Sequence, residues 1–196
     1  MENTHTNHNS ATIITGRGTR LDYVNLYEPK GFEGGRPMYS ASIIIPKDDS
    51  RTLELILNAI AAAYENGSYK LRVNGCDVLP LTEIKLPLID GDKKYPDDPA
   101  YHNAYYINVK NRQQPGLFDV DGTQCRDDRG ALYSGCYARC RIQFYVYNKG
   151  VNKGIACLLL GVHKAMDGEP LGEPLGVSVT TFDDFKRDEE DADFLN

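Results

Sequence analysis

The segment from Cys136 to Tyr147 alternates strictly between two kinds of side chain. Successive side chains of a β-strand point to opposite faces, so this segment predicts a strand with two different faces. One face is small and apolar and suits a protein core: Cys136, Ala138, Cys140, Ile142, Phe144 and Val146. The other face is aromatic, basic and amide-bearing: Tyr137, Arg139, Arg141, Gln143, Tyr145 and Tyr147.

The second face has the chemistry needed to hold an unpaired polynucleotide. Aromatic rings stack on bases with about 1–3 kcal/mol per base, whatever the base, and guanidinium groups contact phosphates and add cation–π attraction. A sheet whose outer face simply uses tyrosine, a good strand former, has the same pattern. One such strand therefore leaves both interpretations open.

A second strand, predicted from Ala104 to Arg112, repeats the aromatic and basic pattern on one face. From the two strands together we predict stacking rings at Tyr106, Tyr137, Tyr145 and Tyr147. We predict phosphate contacts at Lys110, Arg112, Arg139 and Arg141. Weaker candidates lie on strand ends and loops: Tyr39, Lys47, Arg126 and Arg129. A helix packed on the outer face would cover some of these tyrosines.

The elements around these strands predict a mainly β protein. Further strands are expected at Ala11–Arg20, continued through Leu21–Tyr27, and at Met38–Pro46 and Ile155–Val162. One helix is predicted at Arg51–Asn66, after N-cap candidates and with apolar residues at helical spacing. Proline- and aspartate-rich connections separate these elements. About five strands around one helix fit a Greek-key barrel better than an α/β sheet.

Length and composition indicate a single soluble domain. The chain has 196 residues, 41% of them hydrophobic and 26% charged, and no apolar run approaches the roughly 20 residues of a membrane span. The polar residues 1–10 lack the apolar segment of a secretory signal and predict a disordered arm of a cytoplasmic protein. The five cysteines form no CxxC pair, so we expect buried reduced thiols rather than a zinc site.

The net charge of −6 argues against a nucleic-acid partner until its distribution is considered. Residues 183–196 hold seven acids and two bases, which leaves 21 acids and 20 bases in the rest of the chain. The body of the protein is therefore almost neutral, and its surface can still have local basic patches.

The acidic C-terminal segment also carries phenylalanines. Such a segment buries too little apolar surface to fold alone, so we predict a disordered tail. It could occupy a basic groove of its own protein or dock Phe194 into a partner, and a purely solubilising tail is the alternative. The residues predicted to bind a partner are Asp188, Glu189, Glu190, Asp191, Asp193 and Phe194. The repeat Gly168–Gly176 suits a linker before this tail.

Acidic pairs in the loops are the main candidates for catalysis. Two-metal nucleases need clustered carboxylates, and the chain offers Asp90 with Asp92, Asp97 with Asp98, and Asp119 with Asp121. Each pair lies beside turn residues, where aspartate is a common turn former. No P-loop, GxSxG or HExxH pattern occurs, so we predict no catalytic residues, no metal and no cofactor. A metal-dependent nuclease or resolvase-like enzyme is the runner-up, and a virion or assembly protein is a third hypothesis.

Four stretches carry a resemblance to a known family. They are Ile43–Lys47, Tyr105–Lys110, Leu132–Arg139 and Asp167–Gly172. Together they resemble the phage single-stranded-DNA-binding proteins of the OB-fold type, a family first catalogued as a phage domain of unknown function. The resemblance covers roughly residues 11–185, and Tyr-Ser-Gly-Cys-Tyr is its most specific part. The duplicated Gly-Glu-Pro-Leu departs from the family pattern.

The resemblance implies a five-stranded OB barrel with one helix, long loops and a disordered acidic C-terminal tail. It implies sequence-independent binding of single-stranded DNA in phage replication or recombination, within the cytoplasm of a bacterial host cell. The tail would contact phage or host replication proteins and compete with DNA. The expected organisation is an arm at 1–10, the DNA-binding domain at 11–180 and the tail at 181–196. No membrane partner is expected, and a homodimer stays open.

Overall fold

The computed structural model describes residues 10–31, 35–73, 77–125 and 130–172. Over these residues the chain forms ten strands: β1 (Thr12–Ile14), β2 (Arg20–Lys30), β3 (Met38–Pro46), β4 (Arg72–Val73), β5 (Asp77–Val78), β6 (Ile89–Asp90), β7 (Ala104–Asn111), β8 (Gly116–Phe118), β9 (Tyr137–Lys149) and β10 (Asn152–Met166). The helices in the same part of the chain are α1 (Ser50–Gly67), α2 (Gly91–Lys94) and short 3₁₀ turns at Ser68–Leu71, Leu81–Glu83 and Pro99–Tyr101.

Within the described residues, five strands close a ring. β2 pairs antiparallel with β3, and β3 pairs antiparallel with β7. β7 then runs parallel to β10, which forms an antiparallel hairpin with β9. The ring closes where Arg20 of β2 is the Cα partner of Tyr137 of β9. This is the predicted five-stranded OB barrel.

Two short strands widen the barrel wall on either side of the β9–β10 hairpin. β1 pairs antiparallel with β9, and β8 runs parallel to β10. The predicted first strand, Ala11–Arg20, is wrong in its extent because β1 ends at Ile14 and residues 15–19 form a loop before β2. Gly16 and Gly18 lie in this loop and interrupt the strand that the sequence predicts.

The interior of the barrel follows the period-2 pattern of the strands. On β9, the alternate residues Ala138, Cys140, Ile142, Phe144 and Val146 are all buried. Cys125, Cys136, Cys140 and Cys157 are buried, as predicted, and Cys136, Cys140 and Cys157 are free thiols. Cys76 lies outside the described residues. Burial raises the pKa of the Cys140 thiol to about 12, so it stays protonated at neutral pH and packs as a small hydrophobe.

Helix α1 packs against the core side of β9 and so does not cover the other side of that strand. It begins after Asp49, whose Oδ1 accepts a hydrogen bond from the backbone N–H of Thr52 at 3.1 Å. At its other end Gly67 lies so close to Val146 that a Cβ there would be 2.8 Å from the valine side chain. The predicted helix is confirmed, and one of its apolar residues, Leu57, is exposed.

The long connection between α1 and β7 returns to the barrel and covers part of its outer surface. β6 pairs with β7, and residues around it pack on the outward side chains of β3 and β7. Tyr95 and Tyr101 of this connection and Tyr106 of β7 form what we call the tyrosine cluster. Their centroids lie 4.7–5.5 Å apart, within the range of favourable aromatic contacts. This proline- and aspartate-rich connection is built from short strands and helical turns.

The described part of the chain contains no helix that is both long and apolar enough to cross a membrane. The predicted arm, residues 1–10, falls outside the description except for Ser10, and the predicted tail, 181–196, falls outside it entirely. The boundaries of the arm and of the tail therefore remain predictions.

Candidate nucleic-acid interface

The outward face of β9 has the composition expected from its sequence. Arg139, Arg141 and Gln143 are exposed, and Tyr145 and Tyr147 are half-buried. The small residues Ala156 and Gly154 of β10 are the Cα partners of these two tyrosines. Desolvation by burial raises the pKa of Tyr145.

Neighbouring strands extend this surface on both sides of β9. Cα partners in a sheet place their side chains on the same face. Arg141 is thus flanked by Ile14 of β1 and Gly161 of β10. Arg139 is the partner of His163, which is in turn the partner of Phe118 on β8. We call this surface the arginine face, comprising Ile14, Phe118, Arg139, Arg141 and His163.

A shallow groove of about 390 Å³ crosses the arginine face. Gly116 and Gly161 are Cα partners in the middle of it, so no side chain fills the space between the arginines and Phe118. The apolar part of its wall comes from Ile14, Phe118, Leu160 and Val162. Ile14 is 48% exposed and Phe118 is 38% exposed, which leaves apolar surface in contact with solvent beside two cations.

Tyr137, at the start of β9, is engaged by its own protein. The guanidinium of Arg20 lies 5.7 Å from the centroid of its ring. Gly168 packs so closely that a Cβ there would be 2.8 Å from the ring edge. Arg20 also donates hydrogen bonds to the carbonyls of Gly135 and Glu169. Tyr137 is consequently half-buried under the segment that follows β10.

On β7 the predicted residues have different surroundings. Lys110 and Arg112 are exposed, and Lys110 is the Cα partner of Leu158, which on its other side is the partner of Gln143. This register places Lys110 on the same outer surface as the polar face of β9. Tyr39, on β3, is half-buried and opposite Asn111.

The prediction of an accessible stacking ring at Tyr106 is wrong. Its side chain is on the expected outward face of β7 but is only 2% exposed, because Tyr95 and Tyr101 cover it. Burial raises the pKa of Tyr106 to about 12. Tyr101 is fixed in turn, since its hydroxyl donates a 2.8 Å hydrogen bond to the buried carboxylate of Asp22.

Lys47, predicted as a weaker candidate for DNA binding, is ion-paired within the protein. Its ammonium lies 2.8 Å from a carboxylate oxygen of Asp90 and 2.8 Å from one of Asp92. The hydrogen bonds to these carboxylates raise the pKa of Lys47, and the same contacts lower the pKa of both acids. One positive charge thus faces two negative charges, which leaves the site without a net positive charge for a phosphate.

The other acidic pairs serve local structure. Asp98 caps the turn at Pro99–Tyr101 by accepting from the N–H of Ala100, and Asp121 accepts from the N–H of Thr123. Among the residues that the structure describes, no group of three or more histidine, cysteine or acidic side chains is placed to hold a metal ion. Arg126, Arg129 and the six tail residues predicted to bind a partner lie outside the described ranges.

Several exposed residues near these surfaces were missed from the sequence. Arg17 and Arg51 meet Arg139 in a second cleft beside Ile14. Tyr23 is 63% exposed and has a φ of +46° on β2, a backbone conformation that bulky residues rarely adopt. The Gly-Arg-Gly sequence at 16–18 was a signal for Arg17, because it indicated a close backbone approach. Tyr23 had no comparable signal.

Solved structures of phage proteins are similar to this fold. The single-stranded-DNA-binding protein of bacteriophage Enc34 in complex with single-stranded DNA gives a TM-score of 0.70 at 26% identity, over 83% of this chain and 90% of that one. The bacteriophage T7 single-stranded-DNA-binding protein gp2.5 gives a TM-score of 0.57 at 16% identity, over 83% of this chain and 98% of its own. The second likeness bears on the fold alone.

Sequence comparisons lead to the same group of phage proteins. The protein p50 of Acyrthosiphon pisum secondary endosymbiont phage 1 is 29% identical over 177 residues, which cover 88% of this chain and 93% of p50. The family model described as Enterobacter phage Enc34, ssDNA-binding protein, matches residues 11–195. The resemblance inferred from the four sequence stretches is thereby confirmed, and the chain belongs to the Enc34 single-stranded-DNA-binding protein family.

Proposed function

We propose that this protein binds single-stranded DNA without sequence preference during phage DNA replication or recombination. The observation that carries the proposal is the arginine face. There, Arg139 and Arg141 stand beside exposed apolar side chains, and within the described residues neither forms an ion pair with a carboxylate. Free cations beside apolar surface suit a ligand that offers phosphates and base faces together.

Unpaired DNA fits this surface better than a duplex does. The apolar side chains Ile14 and Phe118 can contact a base only if its face is accessible, as it is in a single strand. Guanidinium contacts to phosphate carry no sequence information, and stacking accepts every base. The Enc34 protein was solved in complex with single-stranded DNA, which supports the same ligand for this family member.

The residues assigned to DNA follow from their positions on the outer surface. Arg139, Arg141, Lys110 and Arg112 are proposed to contact phosphates. Tyr145 and Tyr147 are proposed to stack at the far end of β9, where their rings are half-buried. Tyr137 and Tyr39 are only partly exposed and are weaker candidates for stacking. Tyr106 and Lys47 are not assigned to DNA.

Binding to labelled oligo-dT, followed by fluorescence anisotropy at several salt concentrations, tests the proposal. Each phosphate contact to a single strand contributes about −0.7 to the slope of log K against log salt, so four contacts predict a slope near −3 for the full chain. Affinity that does not change with salt would refute it. Parallel incubation of labelled single and double strands with magnesium should leave both intact, and cleavage would favour the nuclease hypothesis.

We further propose that the acidic C-terminal segment contacts phage or host replication proteins in the bacterial cytoplasm. The support is the charge separation, since residues 183–196 hold seven acids against two bases while the arginine face is basic. If the same segment competes with DNA, deleting residues 183–196 raises affinity for oligo-dT severalfold. Unchanged or weaker affinity would exclude competition. Sedimentation of the full chain tests the homodimer.

A further inference from the structure

The cleft beside the arginine face brings together arginines from three separate elements. Arg17 comes from the loop at 15–19, Arg51 from the first turn of α1 and Arg139 from β9. All three are exposed, and in the described part of the chain none of them is ion-paired with a carboxylate. We propose that this arginine cleft binds one phosphate of the DNA strand, an inference that rests on the proposed function and names a new contact point within it.

Local structure explains why Arg17 reaches the cleft. The backbone N–H of Gly16 donates a 2.9 Å hydrogen bond to Oγ1 of Thr52 on α1. A Cβ at Gly16 would lie 2.4 Å from the Asp49 carboxylate, so only glycine allows the loop to approach the helix this closely. The approach holds the next residue, Arg17, beside Arg51.

The other side of the loop is fixed to β9. Oγ1 of Thr15 accepts a 3.0 Å hydrogen bond from the backbone N–H of Cys140, and the N–H of Thr15 donates to the carbonyl of the same cysteine at 3.0 Å. Nε of Arg139 donates to the carbonyl of Thr15 at 3.4 Å. The guanidinium of Arg139 is thereby directed toward the loop that carries Arg17, and the cleft is organised before any ligand arrives.

The balance of charge in the cleft favours an anion. Asp49 is the one carboxylate among the lining residues that the structure describes, against three guanidinium groups. Its Oδ1 is already committed to the N-cap hydrogen bond with Thr52. Two positive charges remain in excess, and guanidinium groups form paired, charge-assisted hydrogen bonds to phosphate oxygens.

The size of the cleft limits what it can hold. Its volume is about 240 Å³, below the roughly 300–1,000 Å³ of pockets that enclose a whole small-molecule ligand. A single phosphodiester group is small enough to enter, with its sugar and base left outside. The cleft shares Ile14 and Arg139 with the groove of the arginine face, so the neighbouring nucleotide can lie in that groove.

The combined site defines a path for the bound strand across the surface. It would run from the start of α1, across β1, β9 and β10, to Phe118 on β8. Adjacent strands are about 4.8 Å apart, so β1 to β8 spans about 14 Å. At about 3.4 Å per stacked nucleotide this part of the interface accommodates about four nucleotides, and the contacts proposed at Lys110, Arg112, Tyr145 and Tyr147 lie beyond it.

The double variant R17A/R51A of the full-length protein tests the cleft. Anisotropy with labelled oligo-dT at several salt concentrations should show about tenfold weaker binding at low salt. The salt slope should become shallower by about 0.7, which is the contribution of the one phosphate that the cleft is proposed to bind. The control variant R72A/K94A removes the same charge from exposed positions outside the cleft and groove, and it should keep the wild-type slope.

The variant R17K/R51K separates the geometry of the guanidinium from its charge. Lysine retains the charge but not the paired hydrogen bonds, so we expect the salt slope to return while affinity stays below wild type. If R17A/R51A lowers the melting temperature, R17Q/R51Q repeats the comparison at a temperature where it is folded. If R17A/R51A or R17Q/R51Q keeps the salt slope of the wild type, and the wild type binds DNA, then the cleft does not bind phosphate and the proposed function still stands. Absence of salt-dependent binding by the wild type overturns the proposed function instead.

Discussion

The outer surface of the barrel differs sharply between β9 and β7. On β9 the cations Arg139 and Arg141 are exposed, and a groove with apolar walls lies beside them. On β7 the outward Tyr106 is covered by two other rings of the tyrosine cluster, and nearby Lys47 is held by two carboxylates. The difference shows that a connection packed on a strand can turn a face with the composition of a binding surface into part of a core.

The covered region has the contacts of a structural element. Each aromatic pair in the tyrosine cluster is worth about 0.5–1.5 kcal/mol beyond its buried area. The hydroxyl of Tyr101 and the backbone N–H of Tyr23 both donate to the carboxylate of Asp22, at 2.8 and 2.7 Å. The connection therefore stays on β3 and β7, while Arg139 and Arg141 of the arginine face are exposed among the described residues.

Removing the ring of Tyr106 should produce the largest effect, and it should be on stability. Truncation of a buried aromatic ring to alanine costs about 3–5 kcal/mol through lost burial and the cavity left behind. Urea unfolding of Y106A measures this loss. Tyr69, which is 61% exposed, supplies the control, because Y69A should change the free energy of unfolding by less than about 0.5 kcal/mol. Equal stabilities of the two variants would mean that β7 is not covered.

The double variant R139A/R141A should affect binding and spare the fold. Loss of two charge-assisted contacts predicts roughly 100-fold weaker binding to oligo-dT, or about 2.7 kcal/mol. The melting temperature should stay near that of wild type, since both side chains are exposed. K93A/K94A removes the same charge from α2 as a control. If R139A/R141A unfolds as readily as it loses DNA, the two arginines are structural and the contrast between the faces fails.

Alkaline pH should destabilise the covered face through its tyrosines. Burial raises the pKa of Tyr106 to about 12 and also raises that of Tyr101. The folded state holds these protons more tightly than the unfolded chain does. The contribution of the two tyrosines to the free energy of unfolding is therefore complete below the unfolded pKa of about 10 and is lost as the pH rises toward 12. Each tyrosine contributes a slope of about −1.4 kcal/mol per pH unit in that range.

Urea unfolding at pH 9, 10 and 11 measures this slope. Y106F has no phenol to ionise at this position, so its free energy of unfolding should fall less steeply than that of wild type. Identical slopes would show that Tyr106 titrates as it does in the unfolded chain, which contradicts its burial.

Substitution of Lys47 should have the smallest effect on DNA binding. Its charge is already opposed by Asp90 and Asp92, so K47M should change affinity by less than about twofold. Lys110 is exposed and lies on the same outer surface as β9, so K110M should cost more. Anisotropy with labelled oligo-dT at one low salt concentration compares the two variants. A larger loss of affinity in K47M than in K110M would assign the DNA contact to Lys47 and not to Lys110.

The sequence predicted much of the barrel because its strands alternate clearly. Strand β3 was predicted with its observed bounds, Met38–Pro46, and the two faces of β9 were assigned correctly residue by residue. These features depend on the side-chain period within one strand. The OB topology came from the family resemblance together with the number of strands.

The remaining features depend on contacts between distant parts of the chain. Nothing in Ala104–Arg112 indicates that β6 will pair with β7 and bring Tyr95 and Tyr101 over Tyr106. Likewise, Arg17, Arg51 and Arg139 are far apart in sequence and meet only because the loop at 15–19 is hydrogen-bonded to both α1 and β9. Local periodicity assigns a residue to a face but does not say what packs on that face.

Closure of the barrel also constrains how the protein folds. The ring is completed by Arg20 against Tyr137 and by the parallel pairing of Val109 with Cys157. Both pairings join residues that are far apart in the chain, and such contacts pay their loop-closure entropy before they gain stability. During synthesis, the barrel cannot close around β2, β3 and β7 until the β9–β10 hairpin has left the ribosome. Folding should therefore be slow for a domain of this size, and truncations within β10 should abolish it.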